Sequence, residues 1–398
     1  MSVGVCIINR NGIALAADSA GTFTGNKMFY NSMNKVFALS QLQPYGAITY
    51  GNTAVHNVSI DQILKEFTVY LKDKSICDFY EIESLFVSFI NEKKEYYRFI
   101  GSENNFCTRL IKELVVDWGN KIKRVINEED SKQKIADILG ELKSHVENSL
   151  KVENFDVSEY IHDHYATSFD LMLGMVVPEL KNYIEEKNVF WNLISKYFNL
   201  SLKIETDNLI GLFFAGYGEN DAFPKFIHLN IYTVINGQLK YLVKDKFDES
   251  NNGAKIVSLA QGDVIMTFCK GISEYFVNYI PQKIDEIIRK KIEAFESEYS
   301  QEQMQKIKES LSDCKNDIYS LIQTVSQEKN INPLLESVQL IPLPEMATLA
   351  ENLINITSLK RTFSLDGNQQ TVGGPTDVAI ISKPDGFSWV KRKQVYKN

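Results

Sequence analysis

Cysteine is scarce in this chain, and its five copies (Cys6, Cys77, Cys107, Cys269, Cys314) are odd in number, widely separated and free of Cys-x-x-Cys spacing. Neither a disulfide framework nor a cysteine-built zinc site is suggested, and the thiols read as reduced. Histidine is equally sparse, with five copies. The His162-Asp163-His164 run has no further Cys or His near it in sequence, so it reads as a solvated helix or loop before a metal site. No run of Lys and Arg interleaved with aromatics occurs, and 51 acidic against 43 basic side chains give a net charge of -8. Nucleic acid is not an expected partner. The start of the chain lacks a basic segment followed by an apolar one, and no stretch reaches the apolar length that a bilayer requires. The expected location is the cytoplasm, with no membrane association.

What is present is a chain of 398 residues, 44% hydrophobic, able to bury a large core. Its first residues are the most informative. Val3-Gly4-Val5-Cys6-Ile7-Ile8, a turn at Asn9-Arg10-Asn11-Gly12, and Ile13-Ala14-Leu15-Ala16-Ala17-Asp18 form a β-hairpin pattern ending on a carboxylate. Ser2 stands just before it. If Met1 is removed, which a small second residue permits, Ser2 carries a hydroxyl and a free α-amine, a pairing that can act as nucleophile and base at once.

Further strands are expected at Lys35–Leu39, Gly46–Tyr50, Leu209–Gly216, Phe226–Tyr232 and Leu239–Val243, with Asn236-Gly237 turning between the last two. Apolar residues repeat at three and four from Val55 to Leu71, which predicts a helix, and a second is expected over Ile82–Tyr97. The segment from about 102 to 205 is helical and charged throughout, and reads as an inserted helical layer. Helical pattern resumes near Asp263 and is interrupted at Pro281. A helix opening at Pro344 is followed by a closing hairpin, Asp377–Ser382 and Phe387–Val390, turning at Lys383-Pro384-Asp385-Gly386. Strands grouped at both ends and in the middle, separated by helices, fit an α+β fold of two mostly antiparallel sheets with helices outside.

Five short motifs, in order, resemble the proteasome β-subunit family of N-terminal nucleophile hydrolases. They are Gly12-Ile13-Ala14-Leu15-Ala16-Ala17-Asp18-Ser19, Asn34-Lys35-Val36-Phe37, Ile48-Thr49-Tyr50-Gly51-Asn52, Ala215-Gly216-Tyr217-Gly218-Glu219, and Val372-Gly373-Gly374-Pro375-Thr376-Asp377-Val378-Ala379-Ile380-Ile381 with its Asp385-Gly386 hairpin. The resemblance covers Ser2–Leu71, Asn208–Gly271 and Pro344–Val390. It implies a four-layer αββα sandwich over one domain, 1–398, with helical insertions at about 102–205 and about 275–340. It also implies a homo-oligomer, and no metal or organic cofactor. A protein partner could dock on the inserted helices.

Carried over by position, the resemblance makes the Ser2 hydroxyl the nucleophile and its α-amine the proton acceptor. Lys35, paired with Asp18, keeps positive charge beside that amine and holds it neutral, and the Gly51 N–H faces the developing oxyanion. The function implied is hydrolysis of peptide or other amide bonds. From the residues alone, Asp18 also reads as a strand-end carboxylate, Lys35 as a solvated side chain and Gly51 as the lead-in to a helix. The chain departs from the family at Gln369, Val372 and Ala260-Gln261-Gly262, where active members place supporting Asp and Ser residues. Two alternatives follow: a catalytically inactive structural or interaction protein, and an acylase for a small-molecule amide.

Overall fold

A computed structural model of the chain describes residues 2–23, 28–30, 32–40, 43–56, 58–93, 102–149, 151–200, 209–248, 253–294, 300–310, 314–363 and 373–393. Ten longer strands are β1 Val3–Asn9, β2 Gly12–Asp18, β3 Val36–Ala38, β4 Tyr45–Gly51, β5 Ile210–Gly216, β6 Lys225–Ile235, β7 Gln238–Asp248, β8 Lys255–Ala260, β9 Thr376–Ser382 and β10 Gly386–Lys391. They form two five-stranded antiparallel sheets, ordered β8-β1-β2-β9-β10 and β7-β6-β5-β4-β3. With helices between the strand groups, this is the expected α+β architecture. Among the described residues, no helix is long and apolar enough to cross a membrane.

Two compact units divide the chain: Met1–Tyr50 with Ala215–Phe226 and Phe247–Asn398, and Gly51–Phe214 with Ile227–Lys246. In the first unit, β1 and β2 are buried at every position. That is why their sequences are apolar almost throughout instead of alternating. One face of their sheet, with Val3, Val5, Ala14, Ala16 and Val378, packs on Met346, Ala350, Leu353 and Ile354 of the helix Leu343–Thr362. The other face meets β4. A Cβ added to Gly46 would lie 2.8 Å from Ile381 Cδ1 and 2.9 Å from the Phe387 ring, so a side chain there would have to push both aside.

The second unit contains the helices Ser102–Val125, Ser131–Asn148, Ala166–Val176 and Ile184–Tyr197, which share a core of their own around Leu110, Leu114, Leu139, Phe169, Phe190 and Ile194. The helices Ile60–Leu71 and Glu81–Glu92 lay an aromatic cluster on β5. Phe67 contacts Phe86, Phe89 and Phe214, with ring centroids 5.1, 5.4 and 6.0 Å apart.

Three local expectations change, at a helix end, at Pro281 and at β8, while the first hairpin turns where expected. The helix expected over Ile82–Tyr97 runs Glu81–Glu92, and residues 94–100 lie outside the described ones. The first hairpin turns as an Asx-turn, the Asn9 side chain accepting the Asn11 N–H at 2.8 Å. Pro281 does not interrupt its helix, which runs Glu274–Ala294 around it. Strand β8 was not expected at all; it pairs along β1 with Val3 opposite Ala260.

Candidate functional site

The site is built where β1 begins and β2 ends. Antiparallel pairing of Gly4 with Ala17 brings the start of the chain beside Asp18. The Asp18 carboxylate is buried and accepts four donors. Oδ1 takes the Val3 backbone N–H at 2.9 Å and Lys35 Nζ at 2.5 Å. Oδ2 takes the N–H groups of Gly373 at 3.1 Å and Ala20 at 3.3 Å. Besides the local Ala20 N–H, donors from three separate segments thus converge on one carboxylate, which is more than a strand-end turn needs.

Lys35 is not a solvated side chain, being 7% exposed against 1% for Asp18. Its proton affinity is pulled below the ordinary lysine range. Burial is the main cause, with a smaller push from the Lys393 ammonium; Asp18 acts in the opposite direction. Ser2 is buried, 9% exposed. Its carbonyl accepts the Gln261 N–H at 3.1 Å, so the turn after β8 holds the residue that precedes β1. Ala260 in that turn has φ +63°, left-handed without being glycine, which marks a constrained backbone.

Ser2, Asp18 and Lys35 all belong to the first unit, whereas Gly51 ends β4 and opens the second. Its glycine identity has a local reason: φ is +86° and an added Cβ would lie 2.2 Å from the Leu209 carbonyl oxygen. Gln369 and Val372 lie outside the described residues.

Sequence reasoning missed a second buried ion pair. Lys393 Nζ donates to Asp377 Oδ2 at 2.8 Å, to Ser19 Oγ at 3.1 Å and to the Met33 carbonyl at 2.5 Å. Asp377 lies opposite Ala17 in the β9–β2 ladder, one residue from Asp18. No spacing in the sequence signals the pairing, because the fold joins Ser19 to a lysine near the other end of the chain.

No protein-family model matches the chain, and no curated protein matches it. Solved structures do match. An Anbu (Gly-1) mutant from Hyphomicrobium sp. strain MC1 aligns at 9% identity and TM-score 0.36, covering 99% of this chain and 86% of that one. Anbu (ancestral beta-subunit) from Yersinia bercovieri aligns at 10% identity and TM-score 0.35, covering 98% and 86%. Likeness at that level carries no argument about the site.

The resemblance to the proteasome β-subunit family is corrected by these findings. No family model takes in its motifs, and the Anbu structures align at only 9–10% identity with TM-scores of 0.36 and 0.35. The physical reason is plain. The motifs are short runs of small and apolar residues at strand ends and turns, types that close sheet packing requires in many folds.

Other motifs find local roles. His162 stacks on Trp191 at 5.8 Å, and His164 Nδ1 lies 3.0 Å from the Tyr160 carbonyl. The Gly216–Asp221 loop is a strand-end turn, in which Asp221 accepts the Gly218 N–H at 2.7 Å and Lys225 Nζ at 2.6 Å. The second unit also holds an open cavity of about 420 Å³ walled in part by Asn52, His56, Ser102, Phe106 and Arg109.

Proposed function

We propose that the chain is an amide hydrolase whose nucleophile is the Ser2 hydroxyl, made N-terminal by removal of Met1. The observation that carries this reading is the Asp18 carboxylate, bonded at once to the Val3 N–H and to Lys35 Nζ at the residue following Ser2. An α-amine on Ser2 would sit beside a buried ammonium. Since such an amine titrates at about 7.7–8.0 when unperturbed, a nearby cation keeps a larger share of it neutral at pH 7.

The chemistry divides in two. The neutral amine takes the Ser2 proton as Oγ attacks the amide carbonyl, then returns it to the leaving nitrogen, so an ester to Ser2 remains. Water, deprotonated by the same amine, attacks that ester; the acyl–Oγ bond breaks, the amine returns the proton to Ser2 Oγ, and the acid leaves. The substrate is a peptide or a small amide.

The experiment follows Met1 and turnover together. Intact mass should show loss of Met1, an electrophilic amide-hydrolase inhibitor should add to Ser2, and Ser2→Ala should lose both labelling and turnover of an amide panel. Retention of Met1 on the purified chain ends the reading, as does unchanged turnover in Ser2→Ala. One observation favours a second reading: Ser2 is only 9% exposed, which suits an interaction protein that keeps the fold without chemistry.

A further inference from the structure

Lys393 is the last described residue, and its side chain is 5% exposed against 4% for its partner Asp377. Asp377 grips it twice, Oδ1 accepting the Lys393 backbone N–H at 2.8 Å and Oδ2 accepting Nζ at 2.8 Å. All three protons of the ammonium are used, the other two on Ser19 Oγ and the Met33 carbonyl oxygen. Ser19 follows Asp18 directly and Met33 lies two residues before Lys35. The Ser19 carbonyl in turn accepts the Met33 N–H at 3.0 Å. One side chain therefore fastens both ends of the segment that joins the two members of the Asp18–Lys35 pair.

We propose that Lys393 is a positioning residue of the Ser2 site, whose ammonium closes the Ser19–Met33 segment and adds a second buried positive charge beside Lys35. For its bearing on catalysis this rests on the Ser2 reading; the coupling of Lys393 to Lys35 does not. Surface ion pairs are worth little, but a fully bonded buried pair fixes backbone geometry and acts through a weakly screened interior. The charged groups around Lys35 are Asp18 and Lys393, and Asp377 faces Lys393. Burial lowers the proton affinity of Lys35, Asp18 opposes it, and the Lys393 ammonium, itself paired with Asp377, adds a smaller push in the same direction as burial.

The test replaces the charge while keeping hydrogen bonding. In protein carrying lysine labelled with carbon-13 at Cε, the titration of Lys35 is read by NMR, assigned by its loss in Lys35→Arg, for the full chain and for Lys393→Gln and Lys393→Arg. The Ser2 α-amine is followed in parallel by competitive acetic anhydride labelling and mass spectrometry. In Lys393→Gln the Lys35 midpoint should rise, the direction expected when one like charge is removed. Lys393→Arg should keep the original midpoint. A purely structural tie would lower the melting temperature in Lys393→Gln and leave the midpoint unmoved, and that result overturns the proposal. If Lys393→Gln does not fold, Lys393→Met, neutral and of similar length, removes the same single charge and carries the same comparison. Retained Met1 abolishes the α-amine signal and ends the Ser2 reading, while the Lys35 midpoint still decides the role of Lys393.

Discussion

Lys35 and the Val3 backbone N–H share one oxygen of Asp18, at 2.5 and 2.9 Å. A single carboxylate thus fixes where the chain starts and where the buried cation lies. Because that oxygen is nearly sealed from water, the pair is costly to break from one side.

Asp18→Ala should destabilise the protein by about 3–5 kcal/mol, since it leaves Lys35 charged and buried with no partner. Adding Lys35→Met to Asp18→Ala should recover most of that loss, because an apolar pair of similar volume is often neutral. Urea unfolding of the two variants checks the difference. Equal stability of the single and double variants would mean that the ion pair does not hold this corner.

The glycines supply a contrast in sign. Gly51→Ala forces a Cβ to 2.2 Å from the Leu209 carbonyl at φ +86°, so a loss of about 1–3 kcal/mol is expected. Gly140, exposed within the helix Ser131–Asn148, has nothing within 4 Å of its added Cβ. There Gly→Ala should stabilise by about 0.5–1 kcal/mol through helix propensity. Thermal melts of both variants should move in opposite directions.

Phe67 is fully buried and touches the rings of Phe86, Phe89 and Phe214. Its replacement by Ala should cost about 3–5 kcal/mol, combining lost transfer energy with a cavity that three rings cannot close. Phe67→Leu should cost less than half as much. A loss under 1 kcal/mol for the Ala variant, measured by denaturant midpoint at constant m, would contradict this packing.

The hairpins and the helix opened by Pro344 were legible in the sequence because their signals are local, written in Asn236-Gly237, in Asp385-Gly386 and in a proline at a first turn. Strand β8 was not, since its partner β1 lies far away at the start of the sequence and no turn signal joins the two. The resemblance implied the pairing of Lys35 with Asp18, but from the residues alone Lys35 reads as solvated, and the burial of the pair was not legible. Burial depends on what covers them, and the cover comes in part from Gly373. Lys393, inside Lys391-Arg392-Lys393, reads as one of three solvated cations; only Asp377 and Ser19, brought to it by the fold, set it apart.

His56 gives a prediction with a definite sign. Its Nε2 lies 2.5 Å from the Val234 carbonyl oxygen and 3.1 Å from Thr233 Oγ1, so the ring carries its proton on Nε2 when neutral. Burial is the largest influence and lowers its proton affinity below the ordinary 6.5; the Val234 carbonyl and Glu103 oppose it without cancelling it. The unfolded chain therefore binds the proton at a higher pH than the folded one. Stability contributed by neutral His56 is present above about pH 6.5 and is lost as pH falls through the lowered folded value. His56→Asn tolerates the residue's φ of +44° and does not titrate, so its urea midpoint should fall less than that of the parent between pH 7.5 and pH 5. Identical pH dependence in the two proteins would show that His56 gains its proton as readily in the folded chain as in water.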